Sequence, residues 1–217
     1  MELAFFAEFI VQSELIERIY SDYYQSFGKL ARGSKKGHVG ALLFLREKVA
    51  QDGLLSEDDI LSVQRLITSE QPQKGAPSLH ARHIGHYRDC NVSVGNQIKP
   101  VAAEVPNLME SFIRKVRHWQ SNSVGKQTKK SSIAAVSDFH FEFEHLIHPF
   151  ADGNGRTGRA LAYFMLSYAG IPAFVFTNKD AEYYQSFVNK NAMREYFLRK
   201  YTSSLDPSLL NLDITRK

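Results

Sequence analysis

Apolar residues recur at helical spacing through most of this chain. Near the N-terminus they form one broad face, made of Phe5, Phe9, Val11, Leu15, Ile16, Ile19, Tyr20, Tyr23 and Tyr24. A face that repeats every three to four residues is typical of an amphipathic helix. The pattern therefore predicts an N-terminal helix within residues 1–30, followed by a Gly-, Ser- and Lys-rich linker from Gly28 to Gly37.

The rest of the chain alternates helical segments with polar loops. The pattern predicts further helices over Ala41–Gln51, from Ser56 with Asp59 in a capping box, and over Glu104–Trp119, Ile133–Ile147, Gly155–Ala169 and Asp180–Tyr201. It predicts loops at Gln71–Pro77 and Ser121–Ser132, and one β-hairpin at Asn91–Ile98 with Gly95-Asn96 as its turn. These elements indicate a mainly α fold, a helical bundle with a small β-hairpin.

Length and composition fit one intracellular globular domain. The chain has 217 residues, of which 43% are hydrophobic, and a chain of this size can bury a substantial core. Its single cysteine, Cys90, cannot form an internal disulfide, which fits a reducing compartment. No apolar run has the length of a membrane helix, and Glu2 and Glu8 interrupt the apolar start in a way that a signal peptide does not. We expect a cytoplasmic protein that does not contact a membrane.

The chain is mildly basic, with a formal net charge of +4. Nucleic acid is one class of partner for a basic protein. The basic residues, however, occur as short scattered pairs, Lys35-Lys36, Lys129-Lys130 and Arg216-Lys217, and no nucleic-acid-binding motif accompanies them. A solvated basic surface is the favoured interpretation, and nucleic acid is not the expected partner.

The candidate chemistry is concentrated between Ile147 and Arg159. This stretch reads Ile-His-Pro-Phe-Ala-Asp-Gly-Asn-Gly-Arg-Thr-Gly-Arg, and the helix-forming run Ala160–Leu166 follows it. Gly153 and Gly155 can adopt positive φ, so that successive backbone N–H groups can surround one anion. The N-terminus of the following helix adds further N–H donors and the positive end of its dipole. The loop is therefore predicted to bind phosphate.

Four side chains in the loop suit the binding and attack of a polyphosphate. Arg156 and Arg159 are three residues apart, so two guanidinium groups on neighbouring helix positions can hold different phosphates. Asp152 offers the type of oxygen ligand that Mg²⁺ takes together with substrate phosphates. His148, at the mouth of the loop, could accept a proton from an incoming hydroxyl group.

From His148 to Arg159 the chain matches, at every defined position, the motif His-Pro-Phe-x-Asp-Gly-Asn-Gly-Arg-x-x-Arg of Fic proteins. The similarity extends to segments on both sides of the motif: Gly85-His86-Tyr87-Arg88, the hairpin or "flap" at Asn91–Ile98, the helix at Val101–Gln120, Ile171-Pro172 and Glu182-Tyr183-Tyr184. The chain thus resembles the Fic family over residues 55–200. The resemblance implies a Fic-type helical bundle with a flap beside the active loop, with a core at 38–205 and a C-terminal tail at 206–217.

The resemblance also implies a reaction. Most Fic proteins transfer AMP from ATP to a Ser, Thr or Tyr hydroxyl group of a target protein and release pyrophosphate. His148 would be the general base, and Asp152 would hold the Mg²⁺ that bridges the α- and β-phosphates. ATP and a protein target are thus the implied partners, and the sequence leaves open whether the molecule forms a homodimer.

The remaining motif positions would bind the phosphates. By resemblance, Gly153, Asn154 and Gly155 line the anion hole, Arg156 holds the β-phosphate and Arg159 holds the γ-phosphate. Phosphoryl transfer depends on positioning and charge neutralisation more than on a protein nucleophile, and these residue types supply both.

An inhibitory element is implied near the N-terminus. Ser13-Glu14-Leu15-Ile16-Glu17-Arg18 resembles the motif Ser/Thr-x-x-x-Glu-Gly/Asn of self-inhibited Fic proteins, in which the Glu pairs with the second motif Arg. Ser13 and Glu17 would form the inhibitory pair, because a carboxylate on Arg159 competes directly with a phosphate oxygen. Arg18 departs from the pattern, which has Gly or Asn there. Whether inhibition acts within one chain or between two chains is left open.

Other functions stay open at this level. Fic relatives also move phosphate, uridylyl or phosphocholine groups, or remove AMP, although Gly155 disfavours the kinase-like branch, which usually has Lys there. The chain could also be a catalytically silent nucleotide-binding regulator. The two metal-binding alternatives are weaker, because His80, His83 and His86 lack a Cys partner, and Glu144-His145-Leu146-Ile147-His148 has the elements of a zinc protease motif in the wrong order.

Overall fold

The computed structural model describes residues 2–71 and 79–205. Within these ranges the chain folds into nine α-helices: α1 (Glu2–Ile16), α2 (Tyr23–Ala31), α3 (Gly37–Ala50), α4 (Glu57–Ser69), α5 (Val105–Asn122), α6 (Lys129–Phe141), α7 (Asn154–Tyr168), α8 (Ala181–Gln185) and α9 (Lys190–Ser204). Short 3₁₀ turns lie at Ala81–His83, Ala102–Glu104 and Ser186–Val188, and a π-helical turn lies at Glu142–Ile147. The mainly α fold is confirmed.

The predicted hairpin is the two-stranded antiparallel sheet of the described residues. Its strands are β1 (Ser93–Val94) and β2 (Gln97–Ile98), with Ser93 opposite Ile98 and Val94 opposite Gln97. This register leaves Gly95-Asn96 as the two-residue turn, and Gly95 has a φ of 57°, as such turns require. The sheet is short and exposed, and it lies beside the loop that precedes α7.

Helix α7 lies at the centre of the core. Every residue from Asn154 to Leu166 is buried, because α1, α3, α4 and α6 all pack against this helix. A helix that is buried on all sides is apolar all round, and the run Ala160–Leu166 is the longest such stretch of α7. The N-terminal end of α7 carries the polar motif residues, so the tight packing fixes the position of the candidate site.

The N-terminal segment is two helices, and the prediction of one continuous helix was wrong. Helix α1 ends at Ile16, and the chain turns at Arg18, whose φ is 58°. Helix α2 then starts at Tyr23, with the Asp22 side chain accepting a hydrogen bond from the Gln25 N–H. The apolar spacing continues across the break because Ile19 is buried in it, and spacing alone therefore does not reveal the turn.

Both predicted polar linkers are shorter than expected. Helix α2 continues through Gly28 to Ala31, and α3 begins at Gly37. The first linker is therefore shorter than predicted at both ends. Helix α5 extends to Asn122, and Thr128 caps α6 by accepting from the Ser131 N–H, which shortens the second. The capping box of Ser56 and Asp59 is present as predicted. Most of the loop predicted at Gln71–Pro77, and all of the tail at 206–217, lie outside the described residues.

The helix predicted at Ile133–Ile147 changes its winding before the motif. It is α-helical to Phe141 and π-helical from Glu142 to Ile147. Such π turns are rare and occur often at functional sites. Among the described residues, no helix combines the length and the apolar character that crossing a bilayer requires.

Candidate active site

The backbone reverses direction at His148, between the π turn and the motif loop. His148 has a φ of 50°, and its N–H donates to the Phe143 carbonyl at 2.9 Å. A histidine in the left-handed region costs conformational free energy, and other contacts must hold it there. Arg88 provides them. Its side-chain Nε donates to the His148 carbonyl at 2.9 Å, and its backbone N–H donates to the Pro149 carbonyl at 3.0 Å.

Arg88 also connects the loop to the flap. Its remaining guanidinium N–H groups donate to the carbonyls of Cys90 and Pro100, at 3.0 and 2.6 Å, on either side of the hairpin. The side chain is buried, so these charge-assisted bonds have little competition from water. Arg88 therefore holds the flap and the His148 turn in one arrangement, together with Lys99, whose Nζ donates to the His145 carbonyl at 2.7 Å.

The His148 ring is oriented for proton abstraction. Its Nδ1 lies 2.8 Å from the Glu144 carbonyl oxygen. A carbonyl only accepts, so the neutral ring carries its proton on Nδ1 and has its lone pair on Nε2. Burial lowers the pKa of His148 below its ordinary value, with smaller contributions from nearby Lys99 and Arg88. The ring is therefore neutral near pH 7 and can act as a base.

Asn154 shapes the loop from inside. Its Oδ1 accepts from the Phe150 N–H at 2.9 Å, and its Nδ2 donates to the Phe150 carbonyl at 2.8 Å. Both ends of the amide are thus used within the protein. The anion hole predicted at Gly153, Asn154 and Gly155 can involve the backbone N–H of Asn154, whereas the side chain holds Phe150 in the core.

The loop ends at the uncapped backbone donors of α7. Gly153 precedes the helix with a φ of 82°, and no side chain caps the first turn. A Cβ on residue 153 would also lie 2.9 Å from Thr68 Cγ2, so both the backbone conformation and the space require glycine. The first N–H groups of a helix have no intrahelical acceptor, and they attract anions.

The Arg159 guanidinium is fully buried and is held by α1. Its Nε donates to Ser13 Oγ and its Nη2 to the Ser13 carbonyl, both at 2.9 Å. Nη2 also donates to Glu17 Oε1 at 2.7 Å, which forms an ion pair. Burial by itself lowers the pKa of Arg159, but Tyr183, Glu17 and Glu144 outweigh it and raise that pKa. The guanidinium is therefore permanently charged and paired with the N-terminal segment.

Glu17 also covers the first turn of α7. A Cβ on Gly155 would collide with the Glu17 carboxylate, so the absence of a side chain at residue 155 makes room for it. Glu17 follows the last residue of α1, and the turn that brings it there has Arg18 in the left-handed region. Gly and Asn adopt this conformation most easily, which explains physically why the inhibitory motif prefers them after the Glu.

A second buried network lies around Glu144. Its Oε2 accepts from the Tyr183 hydroxyl group at 2.9 Å and lies 3.3 Å from His140 Nε2. Burial raises the pKa of Glu144 to about 7, opposed by the charge of Arg159 and reinforced by that of Glu17. The same burial lowers the pKa of His140 to about 3, so that ring stays neutral. These residues surround Arg159 from the side away from α1.

Asp152 and Arg156 meet through a glutamine. Asp152 Oδ2 accepts from Gln71 Nε2 at 2.5 Å, and Asp152 Oδ1 accepts from the Gly153 N–H at 2.6 Å. Arg156 Nη2 donates to Gln71 Oε1 at 3.0 Å and lies 3.5 Å from Asp152 Oδ1. The Asp152 side chain is 45% exposed, whereas that of Arg156 is 2% exposed, so the carboxylate is the accessible member of the pair.

The donor set at Asp152 fits Mg²⁺ that binds together with a nucleotide. Among the described residues, no group of three or more His, Cys, Asp or Glu side chains is placed to hold a metal ion by itself. Mg²⁺ commonly takes one or two carboxylates, waters and substrate phosphates, and it does not need a protein-only cage. An accessible carboxylate next to the uncapped start of a helix has this character.

A cavity of about 580 Å³ opens beside His148. The flap forms one wall with Val94 and Lys99, and Tyr184 and Phe187 line the opposite side. A volume of this size is within the range of small-ligand sites. The apolar and aromatic side chains of the lining suit a flat ring, and His148, Glu144 and Lys99 add polar groups to it.

The sequence patterns do not predict the contacts of Gln64, Gln71 and Glu144. Gln64 Nε2 donates to the Asp152 carbonyl at 3.2 Å, and Gln64 Oε1 accepts from the Gly85 N–H. These side chains are distant from the motif in sequence. One signal was present, because two polar residues on a helix with a buried face, Gln64 and Thr68, are four apart and face the same way.

Comparison with known proteins gives the same family as the motif. The family model for the Fic/DOC family matches residues 54–166. The protein adenylyltransferase Fic of Drosophila mojavensis is 28% identical over 149 residues, which are 68% of this chain and 26% of that protein. That of Nematostella vectensis is 27% identical over 133 residues, 61% of this chain and 28% of that protein. The chain thus spans about a quarter of the length of the curated relatives it matches.

Solved structures show the same fold. A Fic domain containing signaling protein from Bacteroides thetaiotaomicron superposes with a TM-score of 0.71 at 20% identity, covering 93% of this chain and 86% of that one. Fic-1 from C. elegans superposes with a TM-score of 0.64 at 20% identity, covering 91% of this chain and 60% of that one. Since the family model covers more than half of the residues and the fold agrees with it, this chain belongs to the Fic/DOC family.

Proposed function

We propose that this protein transfers AMP from ATP to a hydroxyl side chain of a target protein, and that Glu17 inhibits the transfer. One observation carries the proposal. The chain from His148 to Arg159 places an imidazole with its lone pair on Nε2 next to the open N-terminus of α7 and two buried arginines. A base and an anion site on one short loop suit attack on a phosphate.

In the proposed transfer, one bond to the α-phosphorus forms as another breaks. The target hydroxyl group gives its proton to His148 Nε2 as its oxygen forms a bond to the α-phosphorus. The bond from the α-phosphorus to the α,β-bridging oxygen breaks, and pyrophosphate leaves with that electron pair. The Nδ1–H bond to the Glu144 carbonyl keeps the ring in the tautomer that this step requires.

The phosphates would lie on the positive end of α7. Gly153 and Gly155 leave the backbone donors accessible, Arg156 would hold the β-phosphate, and Arg159 would hold the γ-phosphate when Glu17 is displaced. Mg²⁺ bound at Asp152 would neutralise charge that develops between the α- and β-phosphates. The cavity beside His148 would receive the adenosine between the flap and Tyr184.

The Glu17 contact supports self-inhibition within one chain. Glu17 Oε1 uses the same Nη2 of Arg159 that a γ-phosphate would need, and its carboxylate lies over Gly155. ATP could still enter with its α-phosphate wrongly placed for attack. A homodimer and a cytoplasmic location stay predictions, as do the alternatives of another donor, AMP removal or a silent regulator.

Labelled ATP separates these alternatives. Glu17→Gly protein should transfer label from α-³²P-ATP, and not from γ-³²P-ATP, to itself or to a protein of the host lysate, because AMP carries only the α-phosphorus. Gel autoradiography measures both arms. Label from γ-³²P-ATP alone would indicate phosphate transfer, and label from neither, with ATP bound, would contradict the proposed AMP transfer.

Arg18 offers a test of the turn that positions Glu17. Arg18→Gly should raise the free energy of unfolding by roughly 0.5–1 kcal/mol, because glycine adopts a φ of 58° without the steric cost that a side chain has. A firmer turn should hold Glu17 on Arg159 more often, so basal transfer should fall. Denaturant unfolding and α-³²P labelling measure the two effects.

Asp52→Gly is the matched control for that variant. Asp52 also has a positive φ, 52°, but it follows α3 and does not belong to the motif loop. Its replacement should leave the labelling rate unchanged, and the loss of its hydrogen bond with Tyr168 should offset part of the gain in stability. If Arg18→Gly were more stable yet labelled faster than the wild type, the turn would not be what keeps Glu17 in place.

A further inference from the structure

Polar side chains on α4, and on the residues directly after it, contact the loop from His148 to Arg159. Gln64, Thr68 and Gln71 follow one another at intervals of four and three residues, so they share one side of the helix and its extension. Gln64 holds the Asp152 carbonyl, and Thr68 packs against Gly153. Gln71 is the member of this face that contacts two functional side chains at once.

Gln71 bridges two opposite charges whose direct contact is long. Its amide N–H donates to Asp152 Oδ2 and its amide oxygen accepts from Arg156 Nη2, at 2.5 and 3.0 Å. Asp152 precedes α7 and Arg156 lies in its first turn, and their direct contact, from Arg156 Nη2 to Asp152 Oδ1, is 3.5 Å long. Because Gln71 is only 3% exposed, water does not offer these groups an equal substitute.

A closer Asp152–Arg156 pair would oppose ligand binding. Arg156 is buried, and burial lowers its pKa, while the charge of Asp152 raises it. A closer carboxylate would therefore be the strongest available partner for this guanidinium. A cation at Asp152 and a phosphate at Arg156 would then each have to break that pair before they could bind.

We propose that Gln71 is a positioning residue that keeps Asp152 available for Mg²⁺ and Arg156 available for phosphate. This inference rests on the proposed function, since it assigns both ligands to the motif loop. Gln71 does not act on the reacting atoms. Its N–H orients the carboxylate as residues behind a metal ligand commonly do, and its oxygen directs the guanidinium.

The first test is nucleotide binding at different Mg²⁺ concentrations. Gln71→Met, which has a similar volume and no hydrogen bonds, should raise the Mg²⁺ concentration for half-maximal ATP binding roughly tenfold, since losing a partner of a metal ligand typically has that effect. Isothermal calorimetry in the Glu17→Gly parent measures it. Gln71→Asn, whose amide is too short to reach both partners, should shift the midpoint in the same direction and serves if the Met variant does not fold.

A matched control is available in the same chain. Gln120 is another buried glutamine, and its Oε1 accepts from the Leu55 N–H at 3.0 Å, far from the motif in sequence. Gln120→Met should lose a comparable buried hydrogen bond without a shift in the Mg²⁺ midpoint. Equal midpoints in folded Gln71→Met and its parent would overturn the proposal.

A double variant tests the reason for the effect. In EDTA, Gln71→Met should weaken ATP binding, because the Asp152 carboxylate then pairs closely with the Arg156 guanidinium. In an Asp152→Asn background there is no carboxylate to pair, so the same change should have little effect on ATP binding in EDTA. An equal loss in both backgrounds would show that Gln71 supports the fold and not the charge separation.

The inference and the proposed function fail in different ways. Mg²⁺-dependent ATP binding that responds to Gln71→Met, without any label transfer from α-³²P-ATP, would refute AMP transfer and support Gln71. Label transfer with an unchanged Mg²⁺ midpoint would refute Gln71 alone. A parent protein that binds no ATP with Mg²⁺ would overturn both.

Discussion

His148→Ala is expected to lower AMP transfer by at least about a hundredfold, because a positioned general base commonly contributes that much or more to the rate. ATP affinity should stay within about twofold of its original value, because the ring faces the incoming hydroxyl group while the phosphates lie on Arg156 and α7. Both quantities are measured in the Glu17→Gly background, transfer with α-³²P-ATP and binding by calorimetry.

The pH dependence of the transfer rate tests the role of His148 independently. The base must be neutral, and burial lowers the pKa of His148, so the transfer rate should be flat from pH 7 upward and should fall only in acid below the ordinary histidine range. His118→Ala, which removes an exposed histidine on α5, should alter neither rate nor profile. Transfer by His148→Ala at the parent rate would remove His148 from the mechanism.

Glu17→Gly is expected to raise AMP transfer at least about tenfold, which corresponds to roughly 1.4 kcal/mol in the barrier. The variant removes the carboxylate from Arg159 Nη2 and from the space above Gly155, so a γ-phosphate can bind the guanidinium and bring the α-phosphate into line. Adding Arg159→Ala should abolish the gain, because the released guanidinium does the positioning. Labelling with α-³²P-ATP at saturating ATP measures each variant.

Glu17→Ala distinguishes the lost carboxylate from a loosened turn. Glu17 lies after the end of α1, so alanine there removes the charge without the added backbone freedom of glycine. Both variants should activate equally if the ion pair is the inhibitory contact. Equal labelling by wild type and both variants, all folded, would show that the α1 segment does not inhibit.

The Glu17–Arg159 contact bears on the departure from the family pattern at Arg18. A basic side chain directly after Glu17 could pair with that carboxylate and draw it away from Arg159. Among the described residues, the ion pair of Glu17 is with Arg159, and the Arg18 side chain is exposed. The cost of Arg18 therefore lies in its backbone conformation, which a residue without a Cβ would adopt more easily.

Sequence alone determined the fold class, most helices, the hairpin turn and the residues of the loop. Helices follow from apolar spacing and caps, which are local properties of the chain, as Ser56 and Asp59 illustrate. The loop from His148 to Arg159 is also local, because an anion site at a helix start needs residues that are close in sequence. Local signals of this kind can be read without tertiary contacts.

Tertiary structure alone decided which distant residues complete the site. Gln71 and Asp152 are 81 residues apart, and Arg88 and His148 are 60 apart, so no periodic pattern connects them. The break between α1 and α2 is equally hidden, because the core accepts Ile19 in a turn as readily as in a helix. Long-range packing brings such groups together, and it depends on shape and burial that no short stretch of sequence contains.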